Sequence, residues 1–281
     1  MCLKTPLPFL NKIGKAFTPA HISGIFIINK DFSGSTGCGI CLEHGAFTKA
    51  CIAQETTVCI NGVKTHAKTT LSIIKLLTNL PVHVETSFNI PIGYGFGASG
   101  AGALSTALAL NEALSLNKTL NELAQLAHVA EVKNLTGLGD VAAQIHGGVV
   151  IRKKAGISVV DRIPCRNETI SWVSFGKIST EAMLSELNTK LINKAGKLML
   201  KQLLKKPTLE NFFIQSCQFA KKLEMMSSKV RDAIEAVEAQ GGFASQAMLG
   251  DVVFAIKDKG ILSEFGNVQK SRICYAGAHV L

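Results

Sequence analysis

The sequence has no run of about 18 apolar residues, the length a membrane-spanning helix requires, so no membrane span is expected. Its first residues carry Lys4, Lys12 and then Lys15 around a short apolar piece broken by Pro6 and Pro8, without the unbroken apolar centre of a secretory signal. They read as an N-terminal extension, residues 1–14, with the folded chain beginning near Lys15. Internal repeats and low-complexity segments are absent. Charge is sparse too, 18% of residues against 47% hydrophobic, so a chain of 281 residues can bury enough apolar surface to offset its ordering entropy, and a disordered protein is excluded. The formal charge of +10 invites a nucleic-acid reading, but the basic residues are scattered. The denser stretches are Arg152–Lys154 and Lys190–Lys206, and the second reads as the solvated face of a helix. An enzyme handling ATP and an acidic metabolite would use a positive field as well, so charge does not discriminate between these classes, and nucleic acid is not the partner the motifs below imply.

A disulfide frame is also missing: eight cysteines are spread over a chain too large to need one, so free buried thiols in a reducing cytoplasm are expected. Cys38 and Cys41 have redox-motif spacing, yet no helix pattern follows them and no second pair completes a zinc set.

The chain alternates strand-like runs with turn signals, beginning with 24–28 and 39–42. Asn61-Gly62 joins two further runs at 56–60 and from Val63, the strongest short hairpin signal. A helix over about 69–77 precedes Pro81, and 82–86 alternates as a strand. Residues 101–114 are rich in alanine and leucine, which predicts a helix buried on most sides. Thr119 and Glu122 form a capping box opening a helix to about Lys133. A short helix from Asp140, Gly147-Gly148 and a strand at 149–152 follow. A boundary is expected within 153–170, dividing the chain at 15–160 and 161–281. The second part reads as α+β, with strands at 171–175, 252–256 and 272–276 and helices at 179–187, 189–204 and 208–239.

The strongest chemical feature is PIGYGFGASGAG, residues 91–102, between a strand and a buried helix. Glycines allow a tight turn that presents backbone N–H groups, and the helix start adds partial positive charge, so the loop suits phosphates. Glycines packed for closeness alone would look the same. The Walker pattern fails, because Gly97-Ala98-Ser99 lacks its lysine, and the dinucleotide fingerprint fails on glycine spacing. On the capped helix, Leu120, Ala124, Ala127 and Glu131 share one face. A carboxylate on an apolar stripe needs a partner, either an internal cation side chain or a metal. Finally, Thr136-Gly137-Leu138-Gly139-Asp140 sets an aspartate at a helix start, where it serves as a cap or as a base at the end of a loop.

These features, in this order, resemble the GHMP kinases. Pro91, Gly95, Phe96, Gly97, Ala98, Ser99, Gly100 and Ala101 match the family's phosphate loop. Ala127, His128 and Glu131 match its Ala-His-x-x-Glu helix, and Gly137, Asp140, Gly147 and Gly148 its third segment. Pro19 to Gly24 stands where the first motif would be, with His21 in the family's lysine position. That substitution, the Gly34–Gly39 segment and Met248-Leu249-Gly250 make the sequence most similar to the archaeal pantoate kinases.

The resemblance implies an α+β fold of two domains: an N-terminal ribosomal-protein-like domain with a left-handed βαβ crossover, and a C-terminal ferredoxin-like sandwich. It implies a cytoplasmic enzyme that phosphorylates pantoate to 4-phosphopantoate with ATP, in coenzyme A biosynthesis. The triphosphate is expected over Pro91, Gly93, Gly95, Phe96, Gly97, Ala98, Ser99, Gly100 and Ala101, with Mg²⁺ on Ser99 and Glu131 and Asp140 as catalytic base. Pantoate also carries a carboxylate, which a bidentate arginine matches best; Arg152 is the candidate, though an arginine followed by Lys153 and Lys154 is more often a solvated charge. His21 and Ser23 are further candidate substrate contacts. A homodimer is compatible with these features. The alternatives are a GHMP kinase for shikimate, homoserine or a mevalonate derivative, and a non-catalytic nucleotide sensor.

Overall fold

The computed structural model describes residues 12–29, 34–158, 160–177 and 189–281. The first unit contains strands β1 (Gly14–Ile28), β2 (Ser35–Ile52), β3 (Thr57–Ile60), β4 (Val63–Lys64) and β5 (Val82–Phe88), with helix α1 (Lys68–Leu77) before β5. Helices α2 (Ala98–Ala113), α3 (Leu120–Lys133) and α4 (Asp140–Gln144) follow, then strands β6 (Val149–Arg152) and β7 (Val160–Ile163). The second contains β8 (Thr169–Lys177), α5 (Thr189–Lys205), α6 (Leu209–Lys222), α7 (Ser228–Ala239), β9 (Phe243–Gln246), β10 (Gly250–Ile256) and β11 (Gln269–Arg272). A last short strand, β12 (His279–Val280), ends the chain.

The long antiparallel pair β1–β2 organises the first sheet, whose order is β12-β1-β2-β5-β3-β4. Strand β2 is long enough to serve two neighbours. Its first part, Gly37 to Ile40, pairs with β6, and its last part, Ala46 to Ile52, pairs with β5. Among the described pairings only β3–β5 is parallel, and the chain crosses between them through β4 and α1. Asn61 and Gly62 both have positive φ, 49° and 79°, the backbone a two-residue hairpin turn demands. The second sheet is antiparallel, in the order β11-β8-β10-β9.

Helix α2 is buried nearly all round, as its alanines and leucines predict. The capping box at the start of α3 is formed in both directions: Glu122 N–H donates to Thr119 Oγ1, and Thr119 N–H to Glu122 Oε2. Helix α5 buries Ile192, Ala195, Met199 and Leu203 and turns its lysines to solvent, which accounts for the basic stretch. Cys38 and Cys41 lie on β2 as free, buried thiols, and burial pushes Cys38 up to about 12.

Several expectations meet a different outcome. The helix expected at 179–187 lies outside the described residues, as do residues 1–11 of the N-terminal extension. The stretch 208–239 is two helices, because Glu224 has positive φ (54°) and Ser227 caps a new start. The strand expected at 272–276 is displaced: β11 ends at Arg272, and beyond it Ile273 makes a single bridge to Leu42. The residue 160/161 division runs through β7, which pairs with β6 in the first sheet; the second sheet begins at Thr169, and β12 rejoins β1. The two units also share one apolar core, in which Ile22 and Ile25 join Trp172, Phe212 and Phe254.

Helix α5 packs so closely on β1 that a Cβ at Gly196 would stand 2.5 Å from Phe26 O. Helix propensity alone favours Gly196→Ala by about 1 kcal/mol. The clash is larger, so Gly196→Ala is expected to destabilise the protein by about 1–3 kcal/mol in urea unfolding, and an unchanged midpoint would contradict this packing.

Candidate active site

Two of the three sequence features, the glycine loop and the Asp140 segment, line one cavity of about 340 Å³, and the third, Glu131, is buried behind it. Gly93, Gly95, Phe96, Gly97, Ala98 and Ser99 form one wall; Thr136 to Asp140 form the other; Ser23, Ser35, Met248 and Leu249 close the remainder. Pro91 starts the glycine loop outside the lining, while Gly100 and Ala101 are buried in the first turn of α2.

Backbone shape explains the glycines here. Gly97, the N-cap of α2, is left-handed (φ 62°), and a Cβ on it would stand 3.1 Å from both Asp140 Oδ1 and Gln144 Nε2. Gly95 (φ 82°) lies against the loop before β10, where a Cβ would be 2.7 Å from Met248 O. The helix start after Gly97 therefore faces the cavity with its N–H groups, the arrangement that binds anions. Phe96 contributes backbone only: its ring is 1% exposed and packs on Trp172, while its carbonyl accepts from His21 N–H.

Glu131 is fully buried at the foot of this loop. A Cβ on Gly100 would lie 2.7 Å from its Oε2, and one on Gly137 2.7 Å from its Oε1, so both walls of the cavity close on the carboxylate. Hydroxyls supply its partners. Thr136 Oγ1 donates to the carboxylate at 3.5 Å, and the Ser99 hydroxyl, which donates to Thr69 Oγ1, also favours its charged form. Thr69 of α1 ties them together, 3.2 Å from both Ser99 Oγ and Thr136 Oγ1. Oε2 has no partner among the described residues. Burial first, and the nearby Asp140 charge second, push the Glu131 carboxyl well above its ordinary range. Ser99, Thr136 and Glu131 thus bring three side-chain oxygens together at the foot of the loop.

Asp140 sits at the first position of α4, with its side chain 15% exposed. Burial alone would raise its carboxyl, but the His21 hydrogen bond and the charge of Arg152 outweigh burial and hold it below the usual range. It is therefore an ionised acceptor beside the phosphate loop. Of the expected substrate contacts, Ser23 lines the cavity, while His21 and Arg152 lie a layer deeper, behind Asp140. On α3, Ala124, Ala127 and Glu131 are buried as their spacing predicts, but Leu120 is exposed at the helix start.

Two contributors escaped the sequence reading. Gln144 donates from Nε2 to Gly97 O at 2.9 Å and so locks α4 to the loop; its spacing one turn after Asp140 was the available signal. Thr69, on a helix thirty residues before Ser99, carried no signal at all.

Comparison with known proteins agrees with this geometry. The GHMP kinases N terminal domain matches residues 61–148. The chain is 35% identical over 269 residues to the pantoate kinase of Methanocaldococcus jannaschii, spanning 92% of this chain and 97% of that protein. It is 31% identical over 286 residues to the pantoate kinase of Methanospirillum hungatei, spanning 95% and 96%. A solved phosphotransferase related to the CoA biosynthesis pathway matches with a TM-score of 0.86 at 31% identity, covering 96% of this chain and 99% of that one. With relatives of this identity matched over nearly their whole length, the chain belongs to the pantoate kinases of the GHMP kinase family.

Proposed function

We propose that the protein transfers the γ-phosphoryl group of ATP to the primary hydroxyl of pantoate, giving 4-phosphopantoate and ADP for coenzyme A synthesis. The observation that carries this reading is the ionised Asp140 carboxylate standing beside the α2 N-terminus, within one cavity with the glycine loop.

The polyphosphate is taken to lie over Gly93 to Ala101, where backbone N–H groups and the helix dipole offset its charge. Asp140 accepts the proton of the acceptor hydroxyl as its oxygen bonds to the γ-phosphorus, and the bond to the β-phosphate oxygen breaks to release ADP. Phosphoryl transfer asks mainly for positioning and charge neutralisation, and these groups offer both. Ser23 is taken to meet the polar groups of pantoate from the cavity wall.

Mg²⁺ fits the same site. The partnerless Glu131 Oε2, with Ser99 Oγ beside it, offers oxygen donors only, and this cation characteristically uses one or two carboxylates together with substrate phosphates. Ser99 and Glu131 would hold it. Bound there, it neutralises phosphate charge. The same reading makes the enzyme cytoplasmic, with small molecules rather than nucleic acid as partners, and admits a homodimer. No helix among the described residues is long and apolar enough to cross a membrane.

An ADP-release assay over pantoate, shikimate, homoserine and mevalonate is expected to show turnover with pantoate at least about tenfold above the others. Turnover with another acceptor alone would overturn the substrate assignment. Asp140→Ala is expected to lower kcat by about 10²–10⁴ with the fold intact, and near-normal kcat would remove it as the base. Glu131→Gln removes the ionisable carboxyl while keeping its shape, so it should weaken Mg²⁺-dependent ATP binding in calorimetry with the fold intact. Unchanged ATP binding would take Glu131 out of the cation site.

A further inference from the structure

Thr69 stands behind the cavity wall, outside its lining, and its hydroxyl is the meeting point of the two loops that form that wall. It is 6% exposed, on the buried face of α1 with Thr70, Ile73 and Ile74. Its Oγ1 is 3.2 Å from Ser99 Oγ in the first turn of α2, and 3.2 Å from Thr136 Oγ1 in the loop between α3 and α4. One turn further along α1, Ser72 Oγ accepts from Asn134 Nδ2 at 3.0 Å, so the helix holds that loop at two points.

Its place in the helix leaves Thr69 free to do this. A serine or threonine inside a helix commonly donates to the carbonyl one turn before it, as Ser72 does to Lys68 O at 2.9 Å. Thr69 is the second residue of α1, and Thr65, four places earlier, lies outside the helix. The Thr69 hydroxyl therefore reaches across to other elements.

The protons in this cluster run one way. Each hydroxyl has one proton and two lone pairs. Ser99 Oγ donates to Thr69 Oγ1, and Thr136 Oγ1 donates to Glu131, lying 3.4 Å from its carbonyl oxygen and 3.5 Å from Oε1. Thr136 has no second proton, so in its contact with Thr69 it accepts and Thr69 donates. The order is then Ser99 to Thr69 to Thr136 to Glu131, carried by three helices and a loop. Its two ends bear the consequence. Ser99 lines the cavity with its proton turned to Thr69, which leaves only lone pairs for a ligand, and Glu131 Oε2 is a further acceptor without a partner among the described residues. A serine at a helix start can otherwise donate to a phosphate oxygen; with its proton taken by Thr69 it is an oxygen ligand suited to a cation.

We infer that Thr69 is a positioning residue for the cation that accompanies ATP: it accepts the Ser99 proton, passes its own toward Glu131, and so holds Ser99 Oγ as an acceptor beside the buried carboxylate. The inference rests on the ATP-dependent reading above and adds to it a residue outside the cavity lining. Outer partners that orient the ligands of a metal characteristically matter by about tenfold to a hundredfold in affinity or activity.

The test uses two pairs of full-length proteins that differ by the hydroxyl: wild type against Thr69→Val, and Thr69→Ser against Thr69→Ala. Calorimetry measures ATP binding in Mg²⁺ and again in EDTA. Thr69→Val is expected to weaken binding about tenfold or more in Mg²⁺ and by less than about twofold in EDTA, with Thr69→Ser within about threefold of wild type in both. Steady-state assays with pantoate should follow the same pattern, with kcat lowered in Thr69→Val and recovered in Thr69→Ser. Equal binding of ATP in Mg²⁺ by wild type and Thr69→Val would overturn the inference. So would a loss in Thr69→Ser as large as that in Thr69→Val, the mark of a packing residue, or an equal loss in EDTA, the mark of a support for the loop backbone alone. If Thr69→Val does not fold, Thr69→Ser and Thr69→Ala decide by the same criteria. Absence of pantoate turnover in the wild type would defeat the functional reading, while the calorimetry, which needs no acceptor, still decides on Thr69.

Discussion

Two carboxylates are held out of bulk water on either side of one glycine-rich turn, and the cost of burying them shapes everything around them. An uncompensated buried carboxylate costs several kcal/mol, so each must be matched by donors or by opposite charge. The two are matched differently. Asp140 meets an imidazole backed by a buried guanidinium and stays ionised. Glu131 meets only hydroxyls, retains an oxygen without a partner among the described residues, and is driven toward its neutral form. Environment alone thus separates two like groups into one held ionised and one driven toward its neutral form.

The fold serves this arrangement by bringing backbones very close. The glycine loop touches α4 on one side and the loop before β10 on the other, at distances a Cβ would not allow. Met248 N–H donates to Ser23 O, so the second sheet's loop is tied to β1 at the cavity mouth. Strand β2 carries β5 and β6 side by side, which sets Arg152 of β6 within reach of His21 on β1. The last residues of the chain return to the first sheet, where Gly148 N–H donates to Cys274 O at 2.6 Å and Ala278 N–H to Gln144 O at 2.9 Å. The segment bearing Asp140 is therefore clamped from both halves of the chain.

Local signals in the sequence reported these features well, and long-range ones poorly. The capping box of α3, the buried helix after the glycine loop and the Asn61-Gly62 turn each depend on a few adjacent residues, and each is present. Glu131 was legible as a charge on an apolar face, but whether its partner was a side chain or a cation could not be read from spacing. The line from Asp140 through His21 to Arg152 joins residues 119 and 131 positions apart, so it exists only once strand register is fixed. Arg152 looked like part of a solvated basic run because its neighbours Lys153 and Lys154 are, yet β6, which pairs with both β2 and β7, is buried at all four positions, and the lysines lie beyond its end. The boundary read near 160 follows a break in local pattern at the turn into β7, while sheet membership is decided by pairing with β6.

The most direct test is a crystal structure of the enzyme with a non-hydrolysable ATP analogue and pantoate. The account predicts the β- and γ-phosphates on the backbone N–H groups of 97–100 and the pantoate primary hydroxyl within about 3 Å of an Asp140 carboxylate oxygen. A nucleotide bound away from the glycine loop, or an acceptor hydroxyl facing away from Asp140, would contradict it.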